Sequence, residues 1–349
     1  MEHFRRPLYK WYKFNKRDLP WRETKDPYRI WLSEVILQQT RVQQGISYYN
    51  RFTEAFPAVR DLANATEDEV LKLWQGLGYY SRARNLHKTA KIITEKYAGN
   101  FPTEYSEIIK LKGIGPYTAA AIASIAFSLP YPAIDGNVYR VLSRYFGIDT
   151  PINSTVGKNQ FQKLAEELLH TGDPGMHNQA LMEFGALQCS PKSPDCNKCP
   201  LFSTCFAAQN QKIDTLPLKT KTTKQRERYF YFYLLEQGGF VYLEKRTKND
   251  IWKNLYQLPM IELATQASDE EILINDIAFI NGIHYNLHSI SKEKKHILSH
   301  QIIRAKLIRV EILEDVTIQE PIFRVNKKDI SKFAVPRLLE LFFEDLNFN

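Results

Sequence analysis

Cysteine is scarce in this chain and confined to one place: Cys189, Cys196, Cys199 and Cys205 are the only four among 349 residues. Cysteines that staple a fold would be scattered through it, so a disulfide framework is excluded. Long apolar runs are missing too. No stretch reaches the roughly 18 apolar residues of a membrane-spanning helix. The opening residues, MEHFRRPLYKWYKF, interleave charge with aromatics and lack the apolar core of a secretory leader. These absences lead us to expect a cytoplasmic protein with no membrane partner.

What the chain does contain is ordinary for a globular protein, with 44% hydrophobic and 25% charged residues. Its length suggests two domains, each large enough for its own core. A net charge of +8 favours a polyanionic partner, although solubility alone accounts for a charge of that size.

The stretch LKGIGPYTAAAIASIAF, from Leu111 to Phe127, carries the strongest local signal besides the cysteines. Gly113 and Gly115 bracket Ile114, Pro116 sits at a first helical position, and the alanine-rich run from Tyr117 to Ala126 predicts a closely packing helix. This is a helix-hairpin-helix pattern. Its turn leaves backbone N–H groups facing outward at a helix N-terminus, which suits one phosphate of a nucleic acid. An ordinary helix connection is the plainer alternative. Past Ser128–Pro132, Asp135-Gly136-Asn137 precedes the periodic apolar residues Val138, Val141, Leu142 and Tyr145. Asp135 therefore stands at a helix start, where an N-cap is its simplest role.

Upstream, Asp26-Pro27 opens a helix predicted over residues 28–52. Within it Glu34 has Ile30 and Trp31 one turn before and Leu37 and Gln38 one turn after. Apolar surroundings raise a carboxyl pKa and keep the group protonated near neutrality; a solvated surface glutamate is the competing reading. Phe161, Leu164, Ala165, Leu168 and Leu169 fall at helical spacing and read as core.

The cysteine spacing C-x6-C-x2-C-x5-C lets one loop wrap a metal centre with four thiolates. Zinc competes for such a site, but zinc loops more often carry two short paired knuckles and this one has one. Residues 209–228 are polar and basic, including Lys212, Lys219, Lys221, Lys224, Arg226 and Arg228, and read as a linker. Beyond it the period changes. Tyr229–Glu236 and Phe240–Lys245 flank Gln237-Gly238-Gly239, a hairpin signal. Ile303, Ala305 and Leu307 alternate with Arg304 and Lys306 before the phase slips to Val310 and Ile312, as a bulge causes. A helix from Pro336 carries Leu339, Phe342, Phe343 and Leu346 on one face. Residues 229–349 thus read as a smaller α+β domain after a mainly α part over 1–208.

The hairpin, the following aspartate and the cysteine loop together resemble the endonuclease III superfamily of DNA glycosylases, over about residues 4 to 208. Leu32–Val42, LSEVILQQTRV, and Trp74–Arg82, WQGLGYYSR, are similar to the MutY branch of adenine DNA glycosylases. Trp252–Pro259, WKNLYQLP, resembles that branch's MutT-like (Nudix-like) C-terminal domain. The resemblance implies two helical lobes with a cleft between them, and a 4Fe-4S cluster on the four cysteines. It implies Glu34 as catalytic acid, Asp135 as the charged partner, and Tyr117 and Asn137 completing the site. Gln39, Thr40, Leu77 and Tyr79 would read DNA, with Tyr79 as a wedge in the base stack. Gly113 and Gly115 would hold a phosphate, and Ser299 and His300 would recognise 8-oxoguanine. The family's Phe-Ser-His loop is Leu298-Ser299-His300 here.

The implied substrate is adenine opposite 8-oxoguanine or guanine in duplex DNA, extruded for hydrolysis by a monomeric enzyme of the cytoplasm and nucleoid. Bifunctional relatives place a lysine where this chain has Tyr117, and a tyrosine forms no Schiff base, so a monofunctional glycosylase is expected. Residues 260–285 lack the Arg-Glu-x-x-Glu-Glu cluster of the magnesium-dependent phosphohydrolases, so the second domain is expected to bind rather than catalyse. A bifunctional pyrimidine-damage enzyme and a non-catalytic iron-sulfur DNA-binding protein are the competing readings.

Overall fold

The computed structural model describes residues 1–220, 225–274, 283–314, 318 and 320–348. Helices fill the chain as far as Gln209 and strands begin at Arg226. Two compact units emerge: Met1–Asn64 with Asn85–Lys221, and Ala65–Arg84 with Thr222–Asn349. Among the described residues no helix is long and apolar enough to cross a membrane. Lys221 and Lys224 of the basic stretch, and residues 275–282 of the stretch without a magnesium cluster, lie outside the described residues.

The first unit contains α1 (Glu2–Asn15), α2 (Pro27–Leu37), α3 (Val42–Ala55) and α4 (Val59–Asn64). In the second unit, α5 (Glu67–Trp74) is capped by a reciprocal Thr66–Glu69 box. Helix α6 (Ser81–Lys96) leads back into the first unit, which continues with α7 (Tyr105–Ile108), α8 (Pro116–Phe127), α9 (Gly136–Phe146), α10 (Thr155–Leu168), α11 (Pro174–Leu187) and α12 (Phe206–Gln209). The helix predicted over 28–52 is two helices. Gln39 sits at φ +58°, a left-handed conformation that no continuous helix accommodates, and it turns the chain between α2 and α3. Asp26 caps α2 by accepting from the Tyr28 N–H at 2.9 Å, with Pro27 behind it.

Helix α2 is buried almost all round, from Ile30 to Ile36, because α3 and α8 pack on it. Helix α11 packs on α1, α8 and α9. Their shared core joins Phe4 and Leu8 of α1, Val141 and Leu142 of α9, Phe161 and Leu168 of α10, and Phe184 of α11. Each such side chain contributes about 1.5–3 kcal/mol of burial free energy. Leu216 is buried and its carbonyl accepts from Arg144 Nε at 3.1 Å, so the polar stretch after the cysteines begins docked on this unit.

In the second unit β1 (Arg226–Gln237) and β2 (Phe240–Lys245) form the expected hairpin across Gly238-Gly239. With β3 (Tyr256–Gln257), β4 (Met260–Leu263), β5 (Tyr285–Ile290), β6 (Lys294–Ile297), β7 (Gln301–Ile312) and β8 (Ile322–Asn326) they make one sheet, ordered β3-β2-β1-β7-β5 along its main path. Helices α13 (Asp269–Ile274) and α14 (Arg337–Asp345) complete the unit. Strands β1 and β7 run parallel in unbroken register from Arg226↔Gln301 to Glu236↔Glu311. The expected bulge in β7 is therefore absent. Its phase slip has another cause: Ile303, Ala305 and Leu307 are buried on one face and Ile308, Val310 and Ile312 on the other, because a central strand is covered on both sides. The irregularity lies on β5, between Leu287 and Ser289. Arg228, read as part of a linker, is instead a strand residue at 5% exposure. Asp68 of α5 binds Lys245 Nζ and the Tyr256 hydroxyl, each at 2.7 Å, tying α5 to this sheet.

One contact in the first unit sets the spacing of two site-bearing helices. A Cβ placed on Gly185 of α11 would lie 2.6 Å from Asn137 Cβ and 2.9 Å from the Asn137 carbonyl oxygen on α9. Gly185→Ala should therefore separate α9 from α11 and lower stability by about 1–3 kcal/mol, measurable by denaturant unfolding.

Candidate active site

The first unit encloses a cavity of about 430 Å³. Glu34 from α2, Tyr117 from α8, and Asp135 and Asn137 at the start of α9 all open into it, as do Gln39 and Thr40 from the turn after α2. Residues far apart in sequence meet here because α2 crosses α8 while α11 holds α8 and α9 together.

Glu34 is 8% exposed. Burial pushes its carboxyl up to about 7, the negative charge of Asp135 adds to the rise, and the Tyr117 hydroxyl and Arg22 oppose it. Tyr117 is itself held in the neutral phenol form by burial and by the two carboxyls around it. Its hydroxyl lies against Glu34 and also within 3.3 Å of Met182 Sδ, so one proton serves two acceptors.

Asp135 is the N-cap that its position suggested. Its Oδ1 accepts from the backbone N–H groups of Asn137 and Val138 at 2.8 Å each, and Oδ2 accepts from Asn137 Nδ2 at 2.7 Å. Burial raises its pKa, whereas these donors and Arg140 pull against the rise. Of the two carboxyls Asp135 is the one furnished with donors. Arg140 fixes the geometry from behind by donating to Asn137 Oδ1 at 2.8 Å, to the Gly185 carbonyl at 2.6 Å and to the Cys189 carbonyl at 2.7 Å.

Arg17, Arg22 and Glu183 also line the cavity, and sequence reasoning did not single them out. Glu183 of α11, 1% exposed, accepts from Arg17 and Arg22 through both oxygens at 2.6–2.9 Å. Burial alone would raise its pKa, but the hydrogen bonds from the two arginines outweigh it and hold Glu183 at about 2. The available signal was the pair Arg17 and Arg22 flanking the break Asp18-Leu19-Pro20-Trp21; nothing in α11 marked Glu183 as their partner.

The four cysteines are free thiols on one loop. Backbone N–H groups of Leu201 face Cys199, those of Ala207 and Ala208 face Cys205, and Arg144 NH1 lies 3.4 Å from Cys189 Sγ. Burial raises the Cys196, Cys199 and Cys205 thiols and the donors at Cys199 and Cys205 oppose that rise; four sulfurs with donors aimed at them on one loop fit a thiolate-bound group. Among the described residues no three His, Cys, Asp or Glu side chains converge on a site for a single ion.

The remaining sequence-selected residues divide. Gly113, at φ +81°, and Gly115 form an exposed turn held by Thr89 Oγ1 donating to the Lys112 carbonyl at 2.8 Å. Leu77 is buried and lines neither this cavity nor the next. In the second unit Tyr79, Leu298, Ser299 and His300 line a separate cavity of about 340 Å³. Tyr79 is 49% exposed, at φ +46°, and its hydroxyl shares a 2.8 Å hydrogen bond with Ser299 Oγ.

The HhH-GPD superfamily base excision DNA repair protein family matches residues 32–168, and the NUDIX domain family matches residues 230–345. An adenine DNA glycosylase of Buchnera aphidicola subsp. Baizongia pistaciae is 40% identical over 306 residues, covering 85% of this chain and 83% of that protein. Another, from Buchnera aphidicola subsp. Schizaphis graminum, is 37% identical over 300 residues and 86% of each chain. The chain belongs to the adenine DNA glycosylases. Among solved structures, one described as a thermostable thymine-DNA glycosylase matches at TM-score 0.55 and 30% identity over 59% of this chain and 95% of that one. The expected architecture for this glycosylase holds: a helical helix-hairpin-helix part followed by a smaller α+β Nudix-like part.

The burial of Glu34 in this adenine DNA glycosylase has a thermodynamic consequence. Its carboxyl ionises near 4.5 unfolded and near 7 folded, so the folded state binds the proton more tightly and stability falls as pH rises from 4.5 to 7. Glu34→Gln removes that dependence. The variant should gain about 3 kcal/mol relative to wild type between pH 4.5 and pH 8, read from denaturant unfolding at the two pH values.

Proposed function

We propose that this protein is a monofunctional DNA glycosylase that removes adenine mispaired with 8-oxoguanine or guanine from duplex DNA. The observation that carries the reading is the pair of unlike carboxyls on one cavity, Glu34 near 7 and Asp135 surrounded by donors. Breaking a purine N-glycosidic bond requires a proton on the leaving base and stabilisation of a cation-like sugar, the division of labour of paired carboxyls in glycoside hydrolysis. Glu34 supplies the proton to a ring nitrogen of the extruded base. Asp135 stabilises the oxocarbenium-like sugar until water adds, with Asn137 and Arg140 holding its carboxylate in place. Tyr117 sits between them as a phenol and supports the sugar. Arg22, which lines the cavity, offers a donor to the base's polar edge, the complement of an adenine ring nitrogen, and Glu183, ionised, holds it there through both oxygens.

The glycosylase part takes residues 1–208, with the turn of Gly113 and Gly115 on a phosphate and Gln39, Thr40, Leu77 and Tyr79 at the duplex. The chain passes from there to a reader whose sheet begins at Arg226, where Ser299 and His300 meet 8-oxoguanine. Cys189, Cys196, Cys199 and Cys205 would hold a 4Fe-4S cluster, which ties the loop after α11 into one rigid unit when bound. The enzyme acts as a monomer in the cytoplasm, on the nucleoid.

A duplex with adenine opposite 8-oxoguanine tests this reading. Strand breaks should follow only after alkali, and borohydride should trap no covalent complex; cleavage without alkali would favour a bifunctional lyase, and no product at all a binding protein. Glu34→Gln should lower the single-turnover rate about 10²-fold or more, and the wild-type rate should decline as pH rises past about 7. Protein purified without oxygen should be brown and carry near four irons per chain; a colourless protein with one zinc would overturn the cluster assignment.

A further inference from the structure

Gln301 opens β7, and its carboxamide lines the second cavity beside Tyr79, Leu298, Ser299 and His300. The orientation of that amide is determined. Arg228 NH1 lies 3.3 Å from Gln301 Oε1, and a guanidinium only donates, so the amide oxygen faces the arginine. Arg228 is itself immobilised. It donates through Nε and NH2 to Glu262 at 2.6 and 2.7 Å, and through NH1 and NH2 to Asp250 at 3.0 and 2.7 Å, with the Phe230 ring 4.7 Å beneath. With the oxygen committed, the NH₂ end remains, and among the described residues no protein group accepts from Gln301 Nε2.

Asp250 also lines the cavity, but its lone pairs are taken by Arg228 twice, by Arg246 at 3.1 Å and by the Ile251 N–H. It positions Arg228 and has no free acceptor for a ligand. The cavity is thus lined both by a residue with an uncommitted amide donor and by the Ser299 hydroxyl.

We propose that Gln301 Nε2 donates to the C8 carbonyl oxygen of 8-oxoguanine, making Gln301 a specificity-determining residue in the base opposite adenine. The inference rests on the reading of the second unit as an 8-oxoguanine reader. Guanine carries C–H at that position and its nearest acceptor is N7, one atom away, so a bond to a C8 oxygen forms with the oxidised base alone. Selection by a donor that finds no partner on the competing base is an efficient form of discrimination.

The test uses the full-length protein and single-turnover adenine release opposite 8-oxoguanine, guanine and 8-bromoguanine, the last filling the C8 position with a poor acceptor. Gln301→Ala should lower the 8-oxoguanine-to-guanine rate ratio about tenfold. Gln301→Glu keeps the size and the contact with Arg228 but replaces the donor with an acceptor, and should lower the ratio at least as far. Both penalties should be larger opposite 8-oxoguanine than opposite 8-bromoguanine, which a purely structural role would not produce. Melting temperatures of the variants separate misfolding from lost recognition, and Gln301→Glu carries the test if the alanine variant is unstable. An unchanged ratio in Gln301→Glu, or equal penalties opposite all three bases, would overturn the inference while leaving the reader intact. A wild-type enzyme with no preference for 8-oxoguanine would overturn the reader itself.

Discussion

A carboxyl group that holds its proton up to about pH 7 is the constraint on which the rest of this structure turns. Glu34 achieves it by desolvation, standing on a helix whose surface is apolar nearly all round and covered by α3 and α8. The same cavity holds Asp135, and two carboxyls so placed resist being ionised together. Their environments separate them: Glu34 faces apolar walls and a phenol, whereas Asp135 receives two backbone N–H groups and an amide at the N-terminus of α9. The macrodipole of that helix favours negative charge at the same end.

That separation depends on rigid support behind Asp135. Asn137 would be free to rotate were Arg140 not bound to its oxygen, and Arg140 would be free were it not also bound to the Gly185 and Cys189 carbonyls. The path from the carboxylate to the cysteine loop is therefore three side chains long. It gives a physical reason for the loop to follow directly on α11, since ordering the loop holds the Cys189 carbonyl against Arg140. Gly185 completes the arrangement, because only a residue without a side chain lets α11 come this near to α9.

Much of this was legible in the residues themselves. The cap at Asp135, the proline at the start of α8 and the hairpin at Gly238-Gly239 are local, and local chemistry specifies them. The apolar spacing around Glu34 foretold its burial. The break at Gln39 was not legible, because glutamine has no turn preference and the left-handed conformation there is imposed by packing. The phase slip in β7 was misread for a similar reason: period-two reasoning assumes one covered face, and a central strand has two. Glu183 and Arg228 were beyond reach because their partners come from 161 or more and 22 or more residues away, respectively, and long-range ion pairs leave no pattern in a single sequence.

An enzyme that excises adenine acts on an undamaged base, so no arrangement of the first cavity can tell a correct substrate from a wrong one. If the substrate is adenine opposite 8-oxoguanine, as proposed, selectivity has to come from the opposite base, and guanine differs from 8-oxoguanine only along its C8–N7 edge. One hydrogen bond to that edge is worth roughly 1–3 kcal/mol, a factor of about 5 to 150. Several weak readers must act at once, and they must be held stiffly enough that each unmade bond counts in full. Under the proposal made above, the second unit would meet that demand with a buried guanidinium whose donors are all engaged, an amide turned by it, and a hydroxyl tied to Tyr79. On this reading the ion network around Arg228 serves recognition by denying the reading groups any second conformation.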